Sequence, residues 1–406
     1  MNLSKDVIYY AFIKGIGVLY WIALTKLSAL YLTPEEFGNF SIAFSLATVV
    51  AILWTGWQSA SLMRFYHEND NKIPFYATLI KGMFRALLWV CVGWISVFFL
   101  VKLFSSNTNL EIVLLAIPLS IFYGLHLFVI NILRIKRELR KLLLLNIVQA
   151  LIIVVGFVVL VGVYNWIAAA IVLTSAYAMS LFLIKRKFLL IKNLVLDSKK
   201  GEYLKKSFMS YGLPVLAIGI VSQLLSTSDL LILKLYGYVD EVGVYSANYN
   251  IAEKSIFAVL SIIVSAFVPI IYKKSTQSNF DIKKEIRNIV ILFLSIAFPI
   301  TLILWVYAPD ISIIFLEARY TSGYFVIHWV AMAGVFVGIA SFYAEIYTLA
   351  EKTKVLAKLY FVPLLVNITL NLLFIKSYGM VAAIYSTVFS YMLLMILIFS
   401  FSRKYV

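Results

Sequence analysis

Apolar stretches of about 20 residues or more recur twelve times along the chain. They lie at roughly 7–31, 37–62, 79–101, 111–133, 142–163, 165–184, 209–236, 242–271, 288–308, 323–350, 355–375 and 379–401. The hydrocarbon core of a bilayer is about 30 Å thick and a helix rises about 1.5 Å per residue, so each stretch is long enough to cross once. In lipid every backbone polar group must be satisfied within the chain, which makes each stretch an α-helix. At 63% hydrophobic and 13% charged residues, with a mean hydropathy of +0.96, 406 residues hold far more apolar surface than a soluble interior can hide. The first stretch outruns the apolar core of a cleaved signal, has no clear small-residue cleavage site and carries Lys14 and Lys26, so it reads as a span.

The basic residues orient these spans. Placing the N-terminus inside puts 28 of the 35 Lys and Arg residues in inside segments and only Lys102, Arg319 and Lys376 in outside ones. The remaining four, Lys14, Lys26, Lys234 and Lys254, fall within spans. The positive-inside rule then makes both termini cytoplasmic. This bias accounts for most of the +16 net charge without nucleic acid as a partner. Basic runs such as "RIKRELRK" (134–141) and "KRKFLLIKN" (185–193) flank spans, where each cation attracts anionic membrane lipid by about 1 kcal/mol. The single cysteine, Cys91, allows no disulfide framework, and no "CxxC", "HExxH", P-loop or "GxGxxG" occurs. With three scattered histidines, no metal site is expected.

One short turn is written twice. "LTPEEFGNFS" (32–41) and "YVDEVGVYS" (238–246), aligned on Gly38 and Gly243, share the order acid, Glu, apolar, Gly, any residue, aromatic, Ser. The offset is 205 residues, about half the chain, and each turn follows the first span of its half. Six spans per half return the chain to the same side, so the halves are parallel repeats about a pseudo-two-fold axis along the membrane normal. The expected organisation is an N-terminal six-helix half (1–184), a basic cytoplasmic linker (185–208) and a C-terminal six-helix half (209–406).

Polar residues concentrate in the first two spans of each half. Ser41, Ser45, Thr48, Thr55 and Ser59 share one face of the second span, and Ser246, Asn250 and Glu253 occupy equivalent positions in the eighth, flanked by Lys254. Two readings stand for the second-span stripe: close helix approach, or the lining of a central cavity. The first span places Lys14, Trp21, Thr25 and Ser28 on one face. Ionisable groups at this depth are costly and mark functional positions. The candidate cavity cations are Lys26, Arg64, Lys254 and Lys14, and the candidate acids are Asp229, Glu253 and Glu345. The cavity-lining candidates are Ser41, Ser45, Thr48, Ser246 and Asn250. Mutual pairing for rigidity, for instance Lys26 with Asp229, is the competing account. A cationic surplus suits an anionic group, with pyrophosphate the obvious one on a lipid carrier.

Twelve spans in a 6+6 repeat, with "LYLTPEEFGNFS" after the first span and "SDLLILKLYGYVDEVGVYSANYNIAEK" across the seventh and eighth, resemble the polysaccharide flippases. These belong to a superfamily shared with MATE-type multidrug exporters and lipid II flippases. The resemblance implies translocation of an undecaprenyl-pyrophosphate-linked oligosaccharide repeat unit from the cytoplasmic to the outer leaflet of a bacterial inner membrane. Such transport would serve lipopolysaccharide O-antigen, capsule or exopolysaccharide synthesis, with polysaccharide polymerase and chain-length proteins as partners. It implies alternating access around a cationic cavity, with Lys26, Arg64 and Lys254 at the matching depths. A proton or Na⁺ bound by Asp229, Glu253 or Glu345 would be the coupling ion, and no other cofactor is expected. A MATE-like small-molecule exporter on the same fold is the alternative, though it would favour an acidic or aromatic cavity. An enzyme is not expected: the longest outside loop (309–322) holds only Asp310 and Glu317 as carboxylates.

Overall fold

The computed structural model describes residues 3–66, 68, 72–104, 107–182, 198–275 and 280–405. Side chains are excepted at 3–14, 18, 72–73, 104, 107–109, 163–164, 198–203, 269 and 273. Twelve α-helices carry the described chain: α1 (Leu3–Tyr31), α2 (Pro34–Phe65), α3 (Lys72–Phe104), α4 (Asn107–Ile135), α5 (Leu139–Gly156) and α6 (Gly162–Ala178). They continue as α7 (Ser198–Leu235), α8 (Val239–Lys274), α9 (Ile282–Val306), α10 (Ala308–Phe315), α11 (Tyr324–Leu349) and α12 (Thr353–Ser402). A π-helical turn, Phe157–Val161, joins α5 to α6, and the described residues include no strand. Residues 185–197 of the expected basic linker lie outside the described residues.

Ten described helical stretches are long and apolar enough to cross a membrane. One runs over 53 residues, Thr353–Tyr405, about 80 Å of helix and more than two bilayer crossings. It breaks at Gly379 (φ 52°, ψ −136°), a conformation open to glycine and strained for any side chain. Counting that stretch as two spans and adding the apolar part of α1, Gly15–Tyr31, accounts for the twelve spans expected.

Three connections use the same stop signal. After α4, α7 and α11 the chain turns left-handed at Arg137 (φ 52°), Gly237 (φ 87°) and Glu351 (φ 58°). The following amides reach back to Leu133, Leu233 and Tyr347 carbonyls at 2.9, 3.1 and 2.7 Å, which satisfies groups the helix end would orphan. Asn165 (φ 57°) marks the division between the fifth and sixth spans, inside the "VYNW" segment, and its side chain accepts from the Ile167 amide at 3.1 Å.

The chain forms two compact units, Phe40–Gln223 and Met1–Asn39 with Leu224–Val406. The first is centred on Trp54, Trp57, Phe75, Phe128 and Phe208, all buried. The Trp54 indole N–H donates to the Ser120 carbonyl at 3.3 Å, so the ring is buried with its polar atom satisfied.

In the second unit α8 is the hub, packed against α1, α9, α11 and α12. Its first turns are buried without interruption from Val242 to Tyr249. Here the two copies of the repeated turn meet. A side chain at Gly38 would lie 3.0 Å from the Val239 carbonyl and 3.1 Å from the Gly243 amide, and one at Gly243 would overlap the Pro34 carbonyl. Pro34 and Val239 are equivalent under the 205-residue offset, so the contact is reciprocal. The acids of the two turns have diverged. Glu36 closes a capping box with Thr33, whose amide donates to it at 2.9 Å. Glu241 instead accepts from the Met380 amide at 2.7 Å, just past the break in α12. Tyr236 and Tyr238 hydroxyls donate to the Leu372 and Lys376 carbonyls at 2.9 and 3.0 Å on the other side of that break. The α7–α8 turn thus splints the kink.

Candidate functional site: a lysine-lined recess between α1 and α8

Helix α1, helix α8 and the end of α10 line a small recess of about 10 Å³, roughly the room one water needs, bounded by Trp21, Ile22, Thr25, Lys26, Asn250, Ile251, Lys254 and Phe315. Two of the cations expected from the sequence, Lys26 and Lys254, therefore line one space, together with Asn250. Lys254 ion-pairs with Glu253, and its ammonium also stands 5.1 Å above the centroid of the Trp21 ring. Lys26 donates to the Ile314 carbonyl at 2.6 Å, at the C-terminal end of α10 where a helix presents partial negative charge. Arg319 returns the arrangement, donating to the Ala29 and Leu30 carbonyls at the end of α1 at 2.8 and 2.9 Å. Tyr320 adds a bond to the Leu32 carbonyl at 2.7 Å. The loop after α10 and the end of α1 are thus tied by reciprocal helix caps.

The acids separate into different settings. Asp229 is fully buried in α7, accepting from the Tyr245 hydroxyl, from the Thr387 hydroxyl at 3.3 Å and from the Leu230 amide at 3.0 Å. Its bonds run to neutral donors, and Lys26 is engaged elsewhere, so the two do not form the ion pair considered from the sequence. Beside Asp229, Ser228 donates to Asn367 at 2.7 Å, and Asn371 donates to the same oxygen at 3.1 Å. Asn367 Nδ2 and Asn371 Oδ1 remain buried without a partner. Glu345 does not line the recess; it accepts from the Tyr272 hydroxyl at 3.2 Å.

The other expected residues are placed as follows. Arg64, in the unit 40–223, ends α2, is exposed and pairs with Glu68 one turn on. The Lys14 side chain lies outside the described residues. Ser45 and Thr48 are buried and Ser41 partly so, with the Thr48 hydroxyl spent on the Ser45 carbonyl at 2.8 Å. Ser246 is buried in α8 with its hydroxyl unpartnered. Lys234 donates to Asn39 of the repeated turn at 2.7 Å. Reasoning from the sequence missed Tyr245 and Thr387 as the partners of Asp229, and Arg319 as the cap on α1. For Arg319 a signal existed: it is one of only three basic residues in the segments that the charge rule assigns to the outside.

Ten described helical stretches long and apolar enough to cross a membrane define a multi-pass membrane protein. Residues 3–275 match the family described as polysaccharide biosynthesis protein, and the chain belongs to that family. No curated protein matches the chain by sequence. Among solved structures it is similar to the lipid II flippase MurJ in an inward closed conformation, at 16% identity and a TM-score of 0.73, over 98% of this chain and 87% of that one. It is similar to an inward-facing multidrug resistance MATE family transporter of the MOP superfamily, at 14% identity and a TM-score of 0.70, over 98% and 97%. A MOP superfamily transporter from Pyrococcus furiosus follows at 12% identity and 0.62, over 100% and 96%. At these identities the likeness establishes the fold.

Proposed function

We propose that the chain is a flippase that carries an undecaprenyl-pyrophosphate-linked oligosaccharide across a bacterial inner membrane. It moves the unit from the cytoplasmic to the outer leaflet, with both termini cytoplasmic, for O-antigen, capsule or exopolysaccharide synthesis. The observation that carries this reading is the convergence of Lys26 and Lys254 on one recess beside the Trp21 ring. Ionisable groups at this depth mark functional positions, and a diphosphate presents oxygens to two ammonium groups at once. Membership of a polysaccharide biosynthesis family supports a glycan-bearing lipid as the source of that anion.

The cycle needs no covalent chemistry. Headgroup and glycan enter laterally while the polyprenyl tail stays in lipid, and Lys26 and Lys254 neutralise the diphosphate. Arg64, on the cytoplasmic side by the proposed orientation, attracts the incoming headgroup. Asp229, desolvated and bonded to neutral donors, is the residue we assign to the coupling proton or Na⁺. A polysaccharide polymerase and chain-length proteins would take up the delivered unit.

The test is a deletion strain in which the leaflet holding lipid-linked oligosaccharide and the surface glycan are both measured. Completed units trapped on the cytoplasmic side, restored to export by the wild-type protein but not by Lys26→Gln or Lys254→Gln at equal protein level, support the reading. Unchanged surface glycan, with altered sensitivity to small cationic compounds, replaces it with a MATE-like exporter.

A further inference from the structure

Lys254 is already occupied. Its ammonium is held by Glu253, the residue before it in α8, with the two side chains 27% and 16% exposed. Adjacent helical residues project about 100° apart and do not face each other, so helix geometry alone does not bring them together. The contact requires the Lys254 side chain to bend toward the carboxylate while its ammonium stays over the Trp21 ring. Lys26, by contrast, is held by a neutral carbonyl, which an arriving anion displaces without leaving a bare charge behind.

We infer that Glu253 is a resident competitor for Lys254, displaced when the substrate's diphosphate binds and re-paired when it leaves. The inference rests on the flippase reading and adds a residue that sets affinity and turnover at the same site. Two unopposed lysines would hold a diphosphate tightly on either side of the membrane, and a transporter that cannot release its cargo does not cycle. A carboxylate on the same helix weakens the bound state by competition. It also gives Lys254 a partner at release, so the cation is never left unpaired in the half-buried recess. Glu253 touches Lys254 rather than the lipid and acts through it as a positioning residue.

The experiment compares wild type, Glu253→Gln, Glu253→Asp and Lys254→Gln as full-length proteins. Affinity for undecaprenyl diphosphate is measured on the purified proteins, and export of surface glycan in the deletion strain at equal protein level. Glu253→Gln is expected to bind undecaprenyl diphosphate about tenfold more tightly while exporting several-fold more slowly. A merely structural role would not produce that opposed pair of changes. Glu253→Asp keeps the charge at this depth on a shorter arm; it should fall between the two, and it carries the test if the glutamine variant does not fold. Unchanged or weaker binding in the Glu253 variants, with binding lost in Lys254→Gln, overturns the competitor and leaves the lysine site standing. Wild-type binding by Lys254→Gln overturns the site itself.

Discussion

Gly38 and Gly243, equivalent residues of the repeated turn, pack against each other's turn: Gly38 on Val239 and Gly243 on Pro34. The contact exchanges equivalent partners, so it has local two-fold character. It also explains the glycines. A methyl group on Gly38 meets backbone at 3.0 Å, whereas on Gly243 it falls on top of the Pro34 carbonyl. Gly243→Ala should therefore lower the apparent Tm in detergent more than Gly38→Ala, the latter costing about 1 kcal/mol and the former about 3 kcal/mol. Equal effects, or none, would remove the steric account.

The splint on α12 makes a second prediction. Glu241→Ala removes a charge-assisted bond to the Met380 amide and is expected to cost about 2 kcal/mol, while Glu241→Gln, which keeps an acceptor, costs less. Gly379→Ala imposes both the positive φ and a clash with the Glu241 carboxylate, so it should be worse than either. Thermal unfolding of the three variants ranks them.

For Asp229, substitution by Asn keeps the side chain's size and removes the charge. Substrate affinity should stay within about twofold of wild type, because Asp229 does not line the lysine recess. Export in cells should fall, and its dependence on a proton or Na⁺ gradient should vanish. Folding stability should hold or rise, since a desolvated carboxylate is relieved. Gradient-dependent export at wild-type rate in Asp229→Asn would exclude this residue as the coupling group.

The topology is testable through the single cysteine. In a Cys91→Ser background, a cysteine replacing Asp240 is expected to react with a membrane-impermeant maleimide on intact cells. A cysteine replacing Lys404 should react only after permeabilisation. The reverse pattern inverts the proposed orientation.

Span number and the repeat were legible because bilayer thickness sets a length and duplication leaves an offset, both one-dimensional signals. The convergence of Lys26 and Lys254 was legible for a similar reason: costly charges in the first and eighth spans need a shared wet space. What each lysine touches was not. Lys26 bonds Ile314, 288 residues away, and Arg319 caps α1 across a comparable gap, contacts that depend on how the loop after α10 folds back. Lys26–Asp229 pairing looked reasonable by charge, but the donors that satisfy Asp229 are hydroxyls on Tyr245 and Thr387 and one backbone amide, which carry no electrostatic signature in a sequence. Glu345 was grouped with the cavity acids by depth alone, yet it bonds Tyr272 outside the recess.

A patch that packs on its own copy is complementary to itself, the defining property of an interface between identical subunits. The joint at Gly38 and Gly243 therefore has the geometry of an interface between identical subunits, formed here within one chain. Within one chain the two glutamates need not be identical in role. One stayed a helix cap, and the other took hold of a break in α12, a division of labour closed to identical subunits.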